Sequence, residues 1–215
     1  MTNGKTPTKS GYYDVVAVFF VAFLILSNIA ATKLIDLGGL IFDGGAILFP
    51  FVYIIGDVLS EVYGFGKARR VIVMGFVAQL LASLTFWLVT IAPPAADYTA
   101  QESFEAVLGV FPRFVLASMA GYLVGQLLNS YVLVAIKERF GEQHLWARLL
   151  GSTVVGEAAD TAIFCVIAWI GEVPAGTILN LMVVGFVYKV AVEAVLLPIT
   201  YVVIAWVKKQ ERVDC

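Results

Sequence analysis

Long apolar runs separated by short polar stretches dominate this chain. Six of them have the ~20-residue length a helix needs to cross the ~30 Å hydrocarbon layer of a bilayer. Their approximate limits are 14–36, 44–64, 69–91, 112–136, 148–170 and 177–206. The pattern predicts an all-α, polytopic membrane protein, a bundle of six transmembrane helices. No repeat, low-complexity tract or linker interrupts it, so residues 1–215 read as a single transmembrane transporter-sized domain. The first run is too long for the apolar core of a secretion signal and has no small-residue cleavage site behind it. The longest connection, APPAADYTAQESFEAVLGVFP, joins the third and fourth runs. Its Pro93-Pro94 pair ends the third helix. QESFEAVLGVF then fits two readings: a plain connecting loop, or a short amphipathic helix on the outer interface with Phe104, Val107, Leu108 and Phe111 turned to lipid.

Composition agrees with the pattern. The chain is 60% hydrophobic and 14% charged, whereas soluble domains are about half apolar and a quarter charged; its mean hydropathy is +0.91. Charge then orients the bundle, because basic residues gather in cytoplasmic loops. Lys5 and Lys9; Lys67, Arg69 and Arg70; Lys137, Arg139 and Arg148; and Lys208, Lys209 and Arg212 all fall on one side of the alternating spans. The opposite side has Arg113 alone, while Lys33 and Lys189 lie within spans. Both termini are therefore expected in the cytoplasm (N-in, C-in), with Asp36, Asp43, Asp97, Glu102, Glu105 and Glu172 facing outside. A net charge of −2 leaves no basic footprint for nucleic acid. Cys165 reads as packing, and with Cys215 at the last residue the two cysteines give no disulfide framework. A single histidine, His144 in a polar loop, offers little for metal chemistry, and no metal or cofactor is implied.

Ionisable groups inside the spans carry the functional signal. Each costs about 2.5–3.5 kcal/mol at mid-bilayer on insertion scales, so such residues are paired or line an aqueous cavity. Lys33, Asp57, Glu61, Glu157, Asp160, Lys189 and Glu193 are five acids and two lysines, which mutual pairing cannot neutralise. Counting depth along the spans puts Glu157, Asp160, Lys189 and Glu193 near one level. Glu157 and Asp160 are spaced i,i+3, and Lys189 and Glu193 i,i+4, so each pair shares a helix face. An acid–lysine cluster between the fifth and sixth spans follows, either a binding site or an ion-pair knot that fixes helix packing. Gln126 and Asn129 lie at similar depth in the fourth span, as site lining or as interhelical hydrogen-bonding groups. The same span carries Ala117, Gly121 and Gly125 at intervals of four, a small-residue stripe suited to packing within the bundle or to a homodimer interface. Tyr53, Asp57 and Glu61 form one polar face of the second span. Glu61 is expected to snorkel or pair with Arg69 or Arg70. Pro50 and Gly56 suggest an interrupted helix beside Asp57. Asn28 and Lys33 belong to the outer half of the first span, and Phe164 and Tyr188 are aromatic rings next to Asp160 and Lys189.

Three stretches in this order, FPFVYIIGDVLSEVYGFGKARR, GEAADTAIF and YKVAVEAVLLPITY, resemble the queuosine-precursor transporters, also called the vitamin uptake transporter family. The resemblance runs from Asn28 to Tyr201, and its most specific element is Asp57-x3-Glu61-x-Tyr63-Gly64 followed by a basic pair. It implies import of 7-cyano-7-deazaguanine or 7-aminomethyl-7-deazaguanine, precursors for queuosine in tRNA, across the bacterial inner (cytoplasmic) membrane. A guanine-type base offers N1–H and a 2-amino group side by side, and a carboxylate accepts from both. Glu157, Asp160 or Glu193 suits that edge; Lys189 or Gln126 suits the O6 carbonyl; Phe164 or Tyr188 suits stacking; and Asp57 and Tyr53 suit the 7-substituent or an inner gate. Asp160 is the favoured contact to the base, because Phe164 lies one turn along on its face.

Two other classes remain beside this reading. The chain could be the substrate-binding subunit of an energy-coupling vitamin importer, with the small residues of NIAATK (28–33) docking a separate ATP-driven module. No Gly-x4-Gly-Lys-Ser/Thr motif is present, so this chain would not hydrolyse ATP itself. Paired carboxylates also suit acid–base catalysis, but no metal-spaced histidine pair and no Gly-x-Ser-x-Gly motif accompanies them.

Overall fold

The computed structural model describes residues 11–140 and 145–213. Its helices are α1 (Tyr13–Ala30), α2 (Phe49–Tyr63), α3 (Phe65–Ile91), the short α4 (Gln101–Phe104), α5 (Phe111–Phe140), α6 (Leu145–Trp169) and α7 (Ala175–Val213). A two-stranded antiparallel hairpin, β1 (Leu34–Leu37) and β2 (Leu40–Asp43), and a 3₁₀ turn over Gly44–Ile47 stand between α1 and α2. Five stretches among the described residues are long and apolar enough to cross a membrane: Tyr13–Ala30, Phe65–Ile91, Gln101–Ile136, Gly151–Trp169 and Ala175–Glu211. The chain is a multi-pass membrane protein.

The first two apolar runs depart from the sequence expectation. The first helix stops at Ala30 rather than 36, so Lys33 lies beyond the helix and not within a span. LIDL and LIFD pair across Gly38-Gly39. Both glycines have positive φ, 67° and 90°, the backbone that a two-residue hairpin turn demands and that residues with a Cβ avoid. Asp36 Oδ1 accepts the Gly39 N–H at 2.7 Å. α7 holds the hairpin through one side chain: Asn180 Oδ1 accepts the Ile41 N–H at 3.0 Å, and Asn180 Nδ2 donates to the Gly39 carbonyl at 2.9 Å. The helix that follows has 15 residues, about 22 Å at 1.5 Å per residue, shorter than the ~30 Å layer. Pro50 is at its first turn, where a missing N–H costs nothing, so it starts α2 and does not interrupt it.

The connection before α5 is helical only from Gln101 onward, α4 followed by a π-helical turn over Glu105–Gly109. Phe111 is not turned to lipid: it is fully buried, with its ring 5.0 Å from that of Phe86.

Tyr12 N–H donates to Glu211 Oε1 at 2.9 Å, so the two ends of the described chain meet at one end of the bundle. The hairpin marks the other end. α5 and α6 share the most extensive interface, and glycine permits it. A Cβ on Gly125 would lie 2.8 Å from the Gly156 carbonyl oxygen, and one on Gly121 2.8 Å from that of Asp160. The stripe Ala117, Gly121 and Gly125 is buried here, facing α6 inside the chain. Apolar clusters close both ends of the bundle. Phe114, Ala117, Cys165, Trp169 and Leu181 pack under the hairpin. Phe20, Leu59, Ala68 and Val71, with Val58, Ile204 and Val207 nearby, pack toward the termini. Polar space lies between them.

Candidate functional site

Lys189 of α7 organises that space. Its Nζ donates to Asp160 Oδ2 at 2.6 Å and lies 3.5 Å from Glu157 Oε2, joining α7 to α6. Tyr53 of α2 donates its hydroxyl to Glu157 Oε1 in a short hydrogen bond. The Lys189 ammonium also stands 4.6 Å from the centroid of the Phe49 ring, a cation–π distance. Two carboxylates thus face one ammonium, and the cluster keeps net negative charge.

A cavity of about 380 Å³ opens from this cluster toward the termini end, within the size range of small-molecule sites. Tyr53 and Asp57 of α2, Tyr122, Gln126 and Asn129 of α5, and Glu157 and Asp160 of α6 line it, with Phe20, Phe49 and Phe76 as apolar walls. Asn129 Oδ1 is buried without a hydrogen-bond partner among the described residues, and buried Glu157 Oε2 has only the Lys189 ammonium at 3.5 Å. Buried polar atoms in native proteins nearly always have partners, so these two are poised for donors that a ligand or water brings.

A second cavity, about 140 Å³, lies on the hairpin side of Lys189. Asn28, Asp43, Phe164, Tyr188 and Lys189 line it, and Phe49, Asp160, Leu24, Val52 and Ser118 line both cavities. Tyr188 donates its hydroxyl to the Ala46 carbonyl at 3.1 Å, and its ring meets Phe42 edge-on at 5.4 Å.

The expected residues divide between these spaces. Asp160 touches both cavities; Glu157, Tyr53, Asp57, Gln126 and Asn129 border the larger; Lys189, Asn28, Phe164 and Tyr188 border the smaller. Phe164 also packs edge-on against Phe114 at 6.0 Å. Glu193 borders neither cavity. Glu61 pairs with Lys208 at 3.8 Å, not with Arg69 or Arg70, because α2 packs along α7. Asp43 stays at the hairpin end, opposite the termini, but is turned into the fold, where it lines the smaller cavity. Its signal was available in the LIDL-GG-LIFD pattern, since a hairpin folds the strand ending at Asp43 back toward α7. NIAATK is covered in part: Asn28 is 5% exposed, and Ala31, 2% exposed, packs in the cluster under the hairpin, while Ile29, Ala30 and Thr32 are half-buried and Lys33 is exposed. His144 lies outside the described residues, as do Lys5, Lys9 and Cys215.

Comparison with known proteins fits this arrangement. Residues 43–203 match the family described as "Putative vitamin uptake transporter". The chain is 31% identical over 189 residues to the "Probable queuosine precursor transporter" of Bacillus subtilis, an alignment spanning 87% of this chain and 82% of that protein. It is 24% identical to the "Queuosine precursor transporter" of Escherichia coli, over 72% of this chain and 67% of that protein. No solved structure matches it significantly. The matched region holds every acidic residue of both cavities and Lys189. The chain belongs to the vitamin uptake transporter family.

Proposed function

We propose that the chain imports queuosine precursors, 7-cyano-7-deazaguanine or 7-aminomethyl-7-deazaguanine, across the bacterial cytoplasmic membrane, as a transporter and not an enzyme. The observation that carries this is the 380 Å³ cavity, whose walls combine Asp160, Glu157, Gln126 and Asn129 with aromatic rings at the middle of the bundle. A planar base with adjacent N–H donors fits such walls. Asp160 or Glu157 accepts from N1–H and the 2-amino group, Gln126 donates to O6, and Phe49, Tyr53 or Tyr122 offers a stacking face. The relatives' names supply the substrate class. α2 and the hairpin together complete a sixth pass, and both termini face the cytoplasm.

The same walls also bear on the subunit alternative. Within NIAATK, Ala31 is buried under the hairpin while Ala30 and Thr32 are half-buried, so only part of that face is open to a docking module. The test is uptake and equilibrium binding in Asp160→Asn and Glu157→Gln. Loss of binding in at least one supports the reading; full activity in both sinks it.

A further inference from the structure

The smaller cavity is the part of the molecule that base recognition leaves unused. It adjoins the larger one through Phe49 and Asp160, so a ligand held by Asp160 has its next open space there. Its 140 Å³ is close to the ~150 Å³ of an engineered cavity that holds one benzene. That is room for a substituent and too little for a bicyclic base.

Its polar groups are mostly acceptors. Asp43 contributes a carboxylate. Asn28, 5% exposed, contributes a side-chain amide that makes no hydrogen bond among the described residues. The Tyr188 oxygen keeps its lone pairs after donating its proton to Ala46. The one cation in the wall, Lys189, is already engaged by Asp160 at 2.6 Å and Glu157 at 3.5 Å; Asp43 feels its charge and faces the Gly45 and Ala46 N–H groups but makes no ion pair within 4 Å among the described residues. A primary ammonium has three donors and no acceptor; it matches these groups and adds the positive charge that the cluster lacks.

Resting on the proposed function, we infer that the smaller cavity is a specificity subsite: it takes the substituent of the ligand and, through Asp43, selects one that ends in a primary ammonium over a neutral one. Binding of 7-aminomethyl- and 7-cyano-7-deazaguanine to the purified full chain tests this. The wild-type chain should bind the aminomethyl compound at least tenfold more tightly. Asp43→Asn should cut that affinity about tenfold and leave the cyano affinity within twofold, which also reports that the variant is folded. Should Asp43→Asn fail to fold, Asn28→Asp decides, since a second carboxylate in the same cavity must widen the preference. Equal wild-type affinities, or a ratio unmoved by either variant, overturns the subsite alone. Binding of neither compound to the wild-type chain overturns the deazaguanine reading beneath it.

Discussion

Adding one methyl group at Gly125 tests how tightly site geometry depends on the α5–α6 contact. The new Cβ of Gly125→Ala would lie 2.8 Å from the Gly156 carbonyl oxygen and 3.0 Å from Asp160 Cβ, whereas ordinary contact begins at 3.4 Å. The obstructing atoms are backbone and the root of a side chain, so neither can swing away. The helices must part by about 0.6 Å, the difference between 3.4 and 2.8 Å. Overpacking of this kind costs about 1–3 kcal/mol, and the better helix propensity of alanine offsets about 1 kcal/mol of it. Net destabilisation is about 1 kcal/mol, a small fall in Tm. The effect on uptake should be larger, because Gln126 and Asn129 move with α5 while Asp160 stays with α6, and sub-ångström misplacement is expensive in a preorganised site. We expect uptake to fall about tenfold. Gly176→Ala is the control: nothing lies within 4 Å of its added Cβ, and Tm and uptake should hold or improve. Equal behaviour of the two variants, measured by thermal unfolding in detergent and uptake in vesicles, would refute the close-contact argument.

Three further substitutions probe separate parts of the account. Lys189→Met removes the cation between Asp160 and Glu157 and leaves two carboxylates facing each other; breaking one side of a buried pair costs about 3–5 kcal/mol, so thermal unfolding should shift strongly and uptake should vanish. Tyr53→Phe deletes the hydroxyl donor to Glu157 but keeps the ring, and a hydrogen bond to a charged group contributes about 1.5–3 kcal/mol; ligand affinity should drop at least tenfold with a folded protein by size-exclusion chromatography. Asn180→Leu removes both side-chain bonds to the hairpin, each worth about 1 kcal/mol; hydrogen exchange should accelerate at Gly39 and Ile41 and remain unchanged in α3.

Much of the bundle was legible in the chain. The third to sixth apolar runs became α3, α5, α6 and α7 with shifted ends, since a long apolar segment in lipid must satisfy its own backbone as a helix. The first two runs mislead because hydropathy ignores alternation. LIDL and LIFD are as apolar as helix, but the Gly38-Gly39 pair turns them into a hairpin, which keeps Asp43 at the end opposite the termini and turns it inward to the smaller cavity. Lys189 meeting Asp160 and Glu157 could be read from depth and from i,i+3 spacing. Tyr53 reaching Glu157, and Phe49 standing over Lys189, could not, because both depend on how α2 packs against α6 and α7. Phe111 failed for a related reason: a surface helix pattern does not reveal that Phe86 waits beneath it.

Uptake of a labelled 7-deazaguanine into liposomes that contain this chain and no other protein tests the central claim most directly. Uptake is expected from the wild-type chain, with loss of it in at least one of Asp160→Asn and Glu157→Gln. No uptake until an ATP-driven partner is added, or unchanged rates in both Asp160→Asn and Glu157→Gln, would contradict it.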